Sequence, residues 1–198
     1  MDLVADVPAR LYPVGRLDKD SEGLLLMTND GAFANAMMHP SGGISKLYRV
    51  TVQPRATEQQ VLQLSSGVVL DDGTKTLPCT VNVVVDEPGR TVMEITLKEG
   101  KNREIRRMCE AVGLEVVRLK RNAEGVVKLG MLAPGKYREL TKQELAGLRA
   151  AAAKGRTQTR SAAAAAKAAR PRAVAGPVKA RAKTPAAGLR SRGPRRQG

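Results

Sequence analysis

Residues 12–31, Y-P-V-G-R-L-D-K-D-S-E-G-L-L-L-M-T-N-D-G, constrain the fold of this chain more than any other stretch. A short apolar run at 11–14 meets Gly15. A polar turn follows over 16–23, and then an apolar run, 24–27, closed by Thr28-Asn29-Asp30-Gly31. Four apolar residues between turn signals read as a buried strand. The turn before that strand therefore sits at the edge of a packed sheet and displays Arg16, Asp18, Lys19, Asp20 and Glu22. Polar groups on a loop held by rigid neighbours are where binding and catalysis concentrate. Taken alone, Asp18 reads as a turn-capping carboxylate, because Asp is a favoured turn residue.

The remaining pattern is mostly strands with a few short helices. Residues 1–17 read as a lead-in strand, and 32–38 as a short helix stopped by His39-Pro40. Residues 46–53 alternate with period two, placing Leu47, Arg49, Thr51 and Gln53 on one face and Tyr48, Val50 and Val52 on the other. Thr57 caps an expected helix at 58–65 that ends at Gly67. Strands at 80–85 and 91–98 flank the turn Asp86-Glu87-Pro88-Gly89 and read as a hairpin. Within 99–113, Ile105, Met108, Cys109 and Val112 recur at helical spacing. Residues 115–120 and 126–129 read as strands. Thr141 and Glu144 have the spacing of a capping box opening a last helix, with Leu145 and Leu148 facing inward. The order predicts an α+β fold around a mixed, largely antiparallel sheet.

Charge separates the body from a tail. Of 34 Lys and Arg, 13 lie in 150–198 with no acid among them, which leaves 21 against 19 Asp and Glu in 1–149. The expected organisation is one domain over 1–149 and a disordered basic tail rich in Ala, Lys, Arg and Pro over 150–198. With three Tyr, one Phe and no Trp, the core must be aliphatic. Cys79 and Cys109 stand far apart, and His39 is the single histidine, so a metal site is not expected. No run approaches the roughly 18 apolar residues of a membrane span, and the N-terminus lacks the features of a secretory signal. A cytoplasmic protein, or one of an organelle with its own ribosomes, is expected, and free thiols suit such a reducing compartment.

Gly15 to Asp18, Ser21, residues 23–26 and residues 28–31 match the signature G-R-L-D-x-x-[ST]-x-G-L-L-L-x-T-N-D-G, and the stretch resembles the pseudouridine synthases that modify ribosomal RNA. Two further segments are similar to that family's motifs: Lys46-x-Tyr48-x-Val50, and E-G-K-N-R-E-I-R-R-M at 99–108. A third, Leu119-Lys120-Arg121-x-x-x-Gly125, resembles its closing segment. The likeness runs over about 11–140. It implies that Asp18 is the catalytic nucleophile, that Tyr48 packs on the target base, and that Arg106 is the basic residue paired with the aspartate. It further implies RNA or substrate contacts for Arg16, Lys46, Arg103, Arg107, Lys120 and Arg121, and a pocket wall at Leu119. The bland alternatives are a half-buried strand tyrosine, a solvated basic helix face with an Arg106–Glu110 pair, and plain core packing of Leu119. Glu104 stands where part of the family has glutamine and is expected to make no RNA contact.

The implied reaction needs no cofactor or metal. A carboxylate acts at the ribose, a nearby guanidinium favours its charged form, and the target uridine must leave its stack to be reached. Paired glycosidase carboxylates would instead flank the bond from opposite sides, which Asp18, Asp20 and Glu22 on one short loop do not do. The implied partner is ribosomal RNA, at a single-stranded or loop uridine, with ribosomal subunit precursors as a further partner and a monomer as the working state. The basic tail adds salt-sensitive affinity that is indifferent to sequence. Family members usually begin with a small RNA-binding domain and an opening strand bearing K-P-x-G. This chain is expected to be truncated before both, which would leave a sheet edge unpaired. An RNA-binding protein that keeps the scaffold without catalysis is the alternative function.

Overall fold

The computed structural model describes residues 2–39 and 43–153. Its frame is a mixed sheet in the order β2-β7-β4-β6-β5, made of β2 (Glu22–Gly23), β4 (Lys46–Gln53), β5 (Thr80–Glu87), β6 (Arg90–Leu97) and β7 (Glu115–Glu124). A short β8 (Val127–Lys128) also pairs with β7. All the pairings are antiparallel except β2 with β7, so the sheet is mixed and largely antiparallel, as the pattern of elements predicts. A separate two-stranded ribbon joins β1 (Tyr12–Val14) to β3 (Leu26–Thr28).

Two of the first three helices form where their caps dictate, whereas the third begins without a side-chain cap. Helix α1 (Gly31–Met38) starts at Asp30, whose carboxylate accepts the Phe33 N–H at 2.9 Å, and stops at His39. Helix α2 (Glu58–Ser66) carries a reciprocal box between Thr57 and Gln60. Helix α3 (Glu104–Ala111) lays Ile105, Met108 and Cys109 into the core. Residues 142–153 are helical (α4), opened by the expected box, in which Glu144 N–H donates to Thr141 Oγ1 and Thr141 N–H to Glu144 Oε2. This helix carries Ala152 into the core at 2% exposure, so the packed domain runs past the boundary expected at 149. The rest of the expected tail lies outside the described residues.

The sheet separates its apolar residues into two clusters. One packs Val50, Val52, Met93 and Ile95 of the sheet against Leu64, Met108 and Cys109 of α2 and α3. The other gathers Val14, Leu24, Leu26, Met37, Ile44, Val127 and Leu148 around the β1–β3 ribbon, α1 and α4. A cleft opens along the seam between them.

Two expectations are corrected here. The lead-in is a strand only over Tyr12–Val14, preceded by a 3-10 turn at Asp2–Val4. The run 24–27 is not one strand either: the chain joins β7 at Glu22–Gly23, then turns into the ribbon at Leu26. Leu24 and Leu26 are buried while Leu25 is exposed. The turn depends on Gly23, which has φ +112 and whose absent Cβ would stand 2.3 Å from the Arg121 carbonyl oxygen. No L side chain fits such a contact, and the backbone conformation is itself reserved for glycine. Gly23→Ala is expected to destabilise the domain by about 3 kcal/mol or more in urea unfolding. An unchanged midpoint would show that the strand junction is more pliable than this packing implies.

Candidate active site

The cleft encloses about 540 Å³; the end of α1 and Ile44 close one side of it, and four other segments supply most of its polar side chains. The turn at 15–21 supplies Arg16, Asp18 and Ser21. Strand β4 supplies Lys46 and Tyr48. Residues 97–105 supply Glu99, Arg103 and Glu104, and β7 supplies Leu119, Arg121 and Glu124. Of the residues singled out in the sequence, Asp18, Tyr48, Arg16, Lys46, Arg103, Leu119 and Arg121 therefore line one cavity. Arg106, Arg107 and Lys120 are not among its lining residues.

The turn is held from beneath. Arg121 is 2% exposed, and its Nε donates to the Leu24 carbonyl at 2.7 Å and its Nη1 to the Arg16 carbonyl at 3.4 Å. Its own backbone carbonyl accepts the Leu24 N–H at 2.9 Å. One arginine thus ties both ends of the Asp18 turn to β7. Arg106 ties the middle: Nη2 donates to the Asp20 carbonyl at 2.6 Å and Nη1 to the Val116 carbonyl at 3.0 Å. Its guanidinium is spent on backbone oxygens, and among the described residues neither an Arg106–Asp18 nor an Arg106–Glu110 ion pair forms. The Asp18 carboxylate, half-buried, makes no hydrogen bond or ion pair among the described residues. Arg103 meets Asp20 at 3.5 Å on the cleft rim. Arg107 is drawn away by the turn at 71–73, pairing with Asp71 and, at 2.7 Å, with Asp72.

Two β-bulges decide what β7 shows to the cleft. Tyr48 stands opposite Arg121, yet Leu47 stands opposite Ala123, so Asn122 is an extra residue on β7. Strict alternation would put Arg121 and Glu124 on opposite faces. The bulge brings both to the cleft, with Nη2 and Oε2 3.8 Å apart and both side chains buried. Bulges of this kind re-aim side chains beside active sites. Lys120 accordingly points to the other face of the sheet. Lys120 and Arg121, both expected to contact RNA, therefore stand on opposite faces of the sheet: neighbours on a strand face opposite ways, and Arg121 is committed to the buried network.

Burial perturbs the groups in this network. It pushes the Tyr48 phenol up, with the adjacent Arg121 guanidinium pulling the other way. It holds the Lys46 ammonium below its usual value, opposed by Glu124, and raises Glu124 against the pull of Arg121 and Lys46.

Sequence reasoning passed over the acids. Glu104, 4% exposed, accepts the Lys101 N–H at 2.9 Å and sits by Glu99, which itself pairs with Lys101. Burial, together with a hydrogen bond to Glu99, pushes the Glu104 carboxyl up to about 7. Arg103, the residue before α3, holds left-handed backbone angles, φ 47 and ψ 34, unusual for a side chain of its size. Such strain concentrates at functional sites. The signal available in the sequence was only an acid at the start of a helix, which ordinarily reads as exposed.

A family model described as RNA pseudouridylate synthase matches residues 5–111, and the chain belongs to that family. Ribosomal large subunit pseudouridine synthase B of Bacillus subtilis is 42% identical over 157 residues, covering 78% of this chain and 64% of that protein. An uncharacterized RNA pseudouridine synthase of Aquifex aeolicus is 42% identical over 147 residues, 74% of this chain and 59% of that one. A crystal structure of a pseudouridylate synthase superposes with a TM-score of 0.66 at 32% identity, covering 70% and 59% of the two chains. This chain therefore spans between 59% and 64% of the length of these three relatives.

Two outcomes follow from the network. Arg121→Met leaves buried Glu124 with only Lys46 to oppose its charge; breaking a buried pair in this way costs about 3–5 kcal/mol. The double variant Arg121→Met with Glu124→Met is expected to recover part of that loss in urea unfolding. For Glu104, the folded state holds a proton that the unfolded carboxyl releases near its ordinary value of 4.5. Stability is therefore fullest below that value and falls as pH rises towards 7. Glu104→Gln removes that loss, so variant and wild type should differ most above pH 7, read as urea midpoints at pH 5 and pH 8.

Proposed function

We propose that this protein isomerises a specific uridine of ribosomal RNA to pseudouridine. The observation that carries the proposal is the meeting of Asp18 and Tyr48 on one cleft in a chain of the RNA pseudouridylate synthase family. The uridine leaves its stack and enters between the Tyr48 ring and the Leu119 wall, with Arg16, Lys46 and Arg103 meeting the charged backbone around it. The Asp18 carboxylate acts as nucleophile at the ribose. An O–C1′ bond forms as the N1–C1′ bond breaks, the uracil turns while the cleft walls retain it, and C5 then bonds to C1′ as the O–C1′ bond breaks and releases the carboxylate. The C5 proton leaves, and N1 regains one. Atoms balance without an added reactant, so the step is an isomerisation that draws on no cofactor. Arg106 and Arg121 act on the backbone of the turn and so set where the carboxylate stands; a displacement of 1 Å at such a centre costs about a hundredfold in rate.

The name of the Bacillus subtilis relative supports large-subunit ribosomal RNA as the substrate. The proposal places the reaction in the cytoplasm and assigns it to a monomer, acting on that RNA either free or in ribosomal subunit precursors. Among the described residues no helix is long and apolar enough to cross a membrane. A second reading, RNA binding without catalysis, is favoured by one observation: the Asp18 carboxylate has no ion-pair partner among the described residues.

Purified protein incubated with unmodified ribosomal RNA is expected to give site-specific pseudouridine, mapped along the RNA. Asp18→Ala and Asp18→Asn are expected to give none while still binding. Binding by the wild type without any product would replace the first reading with the second.

A further inference from the structure

The face of the sheet turned away from the cleft carries charge that the reaction does not use. Strand pairing puts Arg49 directly opposite Lys120, Thr51 opposite Arg118, and Ala123 opposite Lys128. Together with Leu47 and Asn122, these cations line a second concavity of about 530 Å³. Arg118 pairs with Glu22 at 2.5 Å. Glu94 stands opposite Arg49 on the other side but makes no ion pair with it. The side chains of Arg49, Lys120 and Lys128 make neither a hydrogen bond nor an ion pair among the described residues.

Like charges placed directly opposite on neighbouring strands repel and destabilise the sheet. The Arg49–Lys120 repulsion therefore works against the free sheet, with Glu94 across β6 offsetting only the Arg49 side of it, and a bound anion would offset the rest. Spacing narrows the kind of anion. Successive outward residues on one strand are roughly 7 Å apart, and strands lie about 4.8 Å apart, so the cations form a two-dimensional grid wider than any single small anion. A polymer of regularly spaced charges matches the grid. We propose that this groove binds the sugar–phosphate backbone of an RNA segment other than the one in the cleft. The two surfaces lie on opposite faces of the sheet, so a short hairpin can reach only one of them, whereas a large folded RNA can reach both. Contact to backbone alone is indifferent to sequence. The groove thus adds affinity and orientation without choosing the uridine. The choice of ribosomal RNA as the probe rests on the function proposed above; the groove itself does not.

The test is the double variant Arg49→Gln with Lys128→Gln, both at exposed positions, compared with wild type as full chains, so that any contribution from 154–198 is common to both. Binding is measured against salt for a long unmodified large-subunit ribosomal RNA and for a short hairpin RNA. For the long RNA, the variant is expected to bind on the order of tenfold more weakly at low salt. Its log–log salt slope should be shallower by roughly 1.4–1.8, the release expected for two phosphates. Hairpin affinity should stay the same, and the urea midpoint should not fall, since replacing Arg49 relieves its repulsion with Lys120. An unchanged slope on the long RNA overturns the proposal, and so does an equal loss on both RNAs, which would put these cations on the RNA of the cleft. Pseudouridine formation is scored separately. Groove-dependent binding by a wild type that forms no product would keep this proposal and remove the isomerase reading.

Discussion

Arg121 holds this structure together at its functional centre. A guanidinium that is 2% exposed must find partners for its donors, and here they are the carbonyls of Leu24 and Arg16, with the Glu124 carboxylate close by. Those contacts join β7 to both ends of a turn whose other ties are the β2–β7 pairing, Arg106 on the Asp20 carbonyl and the exposed ion pairs of Asp20 and Glu22. The turn is short of apolar anchors between Leu17 and Leu24, so backbone hydrogen bonds from Arg121 and Arg106 set its position. Buried charge of this kind is costly to assemble and strongly destabilising to break. It is therefore better understood as fixing a geometry than as adding stability.

The cleft exists because two apolar clusters do not merge. The α2–α3 side and the α1–α4 side each pack against their own part of the strands. Along the seam the lining turns polar, with Lys46, Tyr48, Arg121, Glu124, Glu104 and Glu99 in reach of one another. Low dielectric along that seam moves the phenol and the Glu104 and Glu124 carboxyls up and the ammonium down, since burial disfavours every charged form. Glu99 alone goes down against its burial, because hydrogen bonds with Glu104, Lys101 and the Leu77 N–H favour its charged form. The thiols follow the same rule. Burial raises Cys79 to about 11 and Cys109 to about 12, which keeps both protonated at neutral pH.

The same sheet serves two surfaces through its pleat. Tyr48 and Arg121 share the cleft face, while their chain neighbours Arg49 and Lys120 share the opposite one. A shift of one residue in the β4–β7 register would exchange these sets. The bulges on β7 add local exceptions to the alternation, and the Arg121–Glu124 pair exists only because of one of them.

Much of the frame was legible in the sequence. Asp30, Thr57 and Thr141 are cap residues with local partners three positions on, and their helices begin where they stand. The period of two in β4 and the hairpin turn at 88–89 likewise act over a few residues. The motif positions Asp18 and Tyr48 could be named before any coordinates, since a long run of fixed spacings carries that information. Tertiary structure alone decided the rest. It turned Arg106 onto Asp20 and Val116 and gave Arg107 to Asp71 and Asp72. It buried Glu104, sent Lys120 to the far face, and divided 22–28 between two sheets. Each of these depends on partners that are distant in the chain or on a bulge that breaks the strand period. Local propensity and spacing cannot encode which distant carbonyl or carboxylate will stand within 3 Å of a long side chain once the strands have paired.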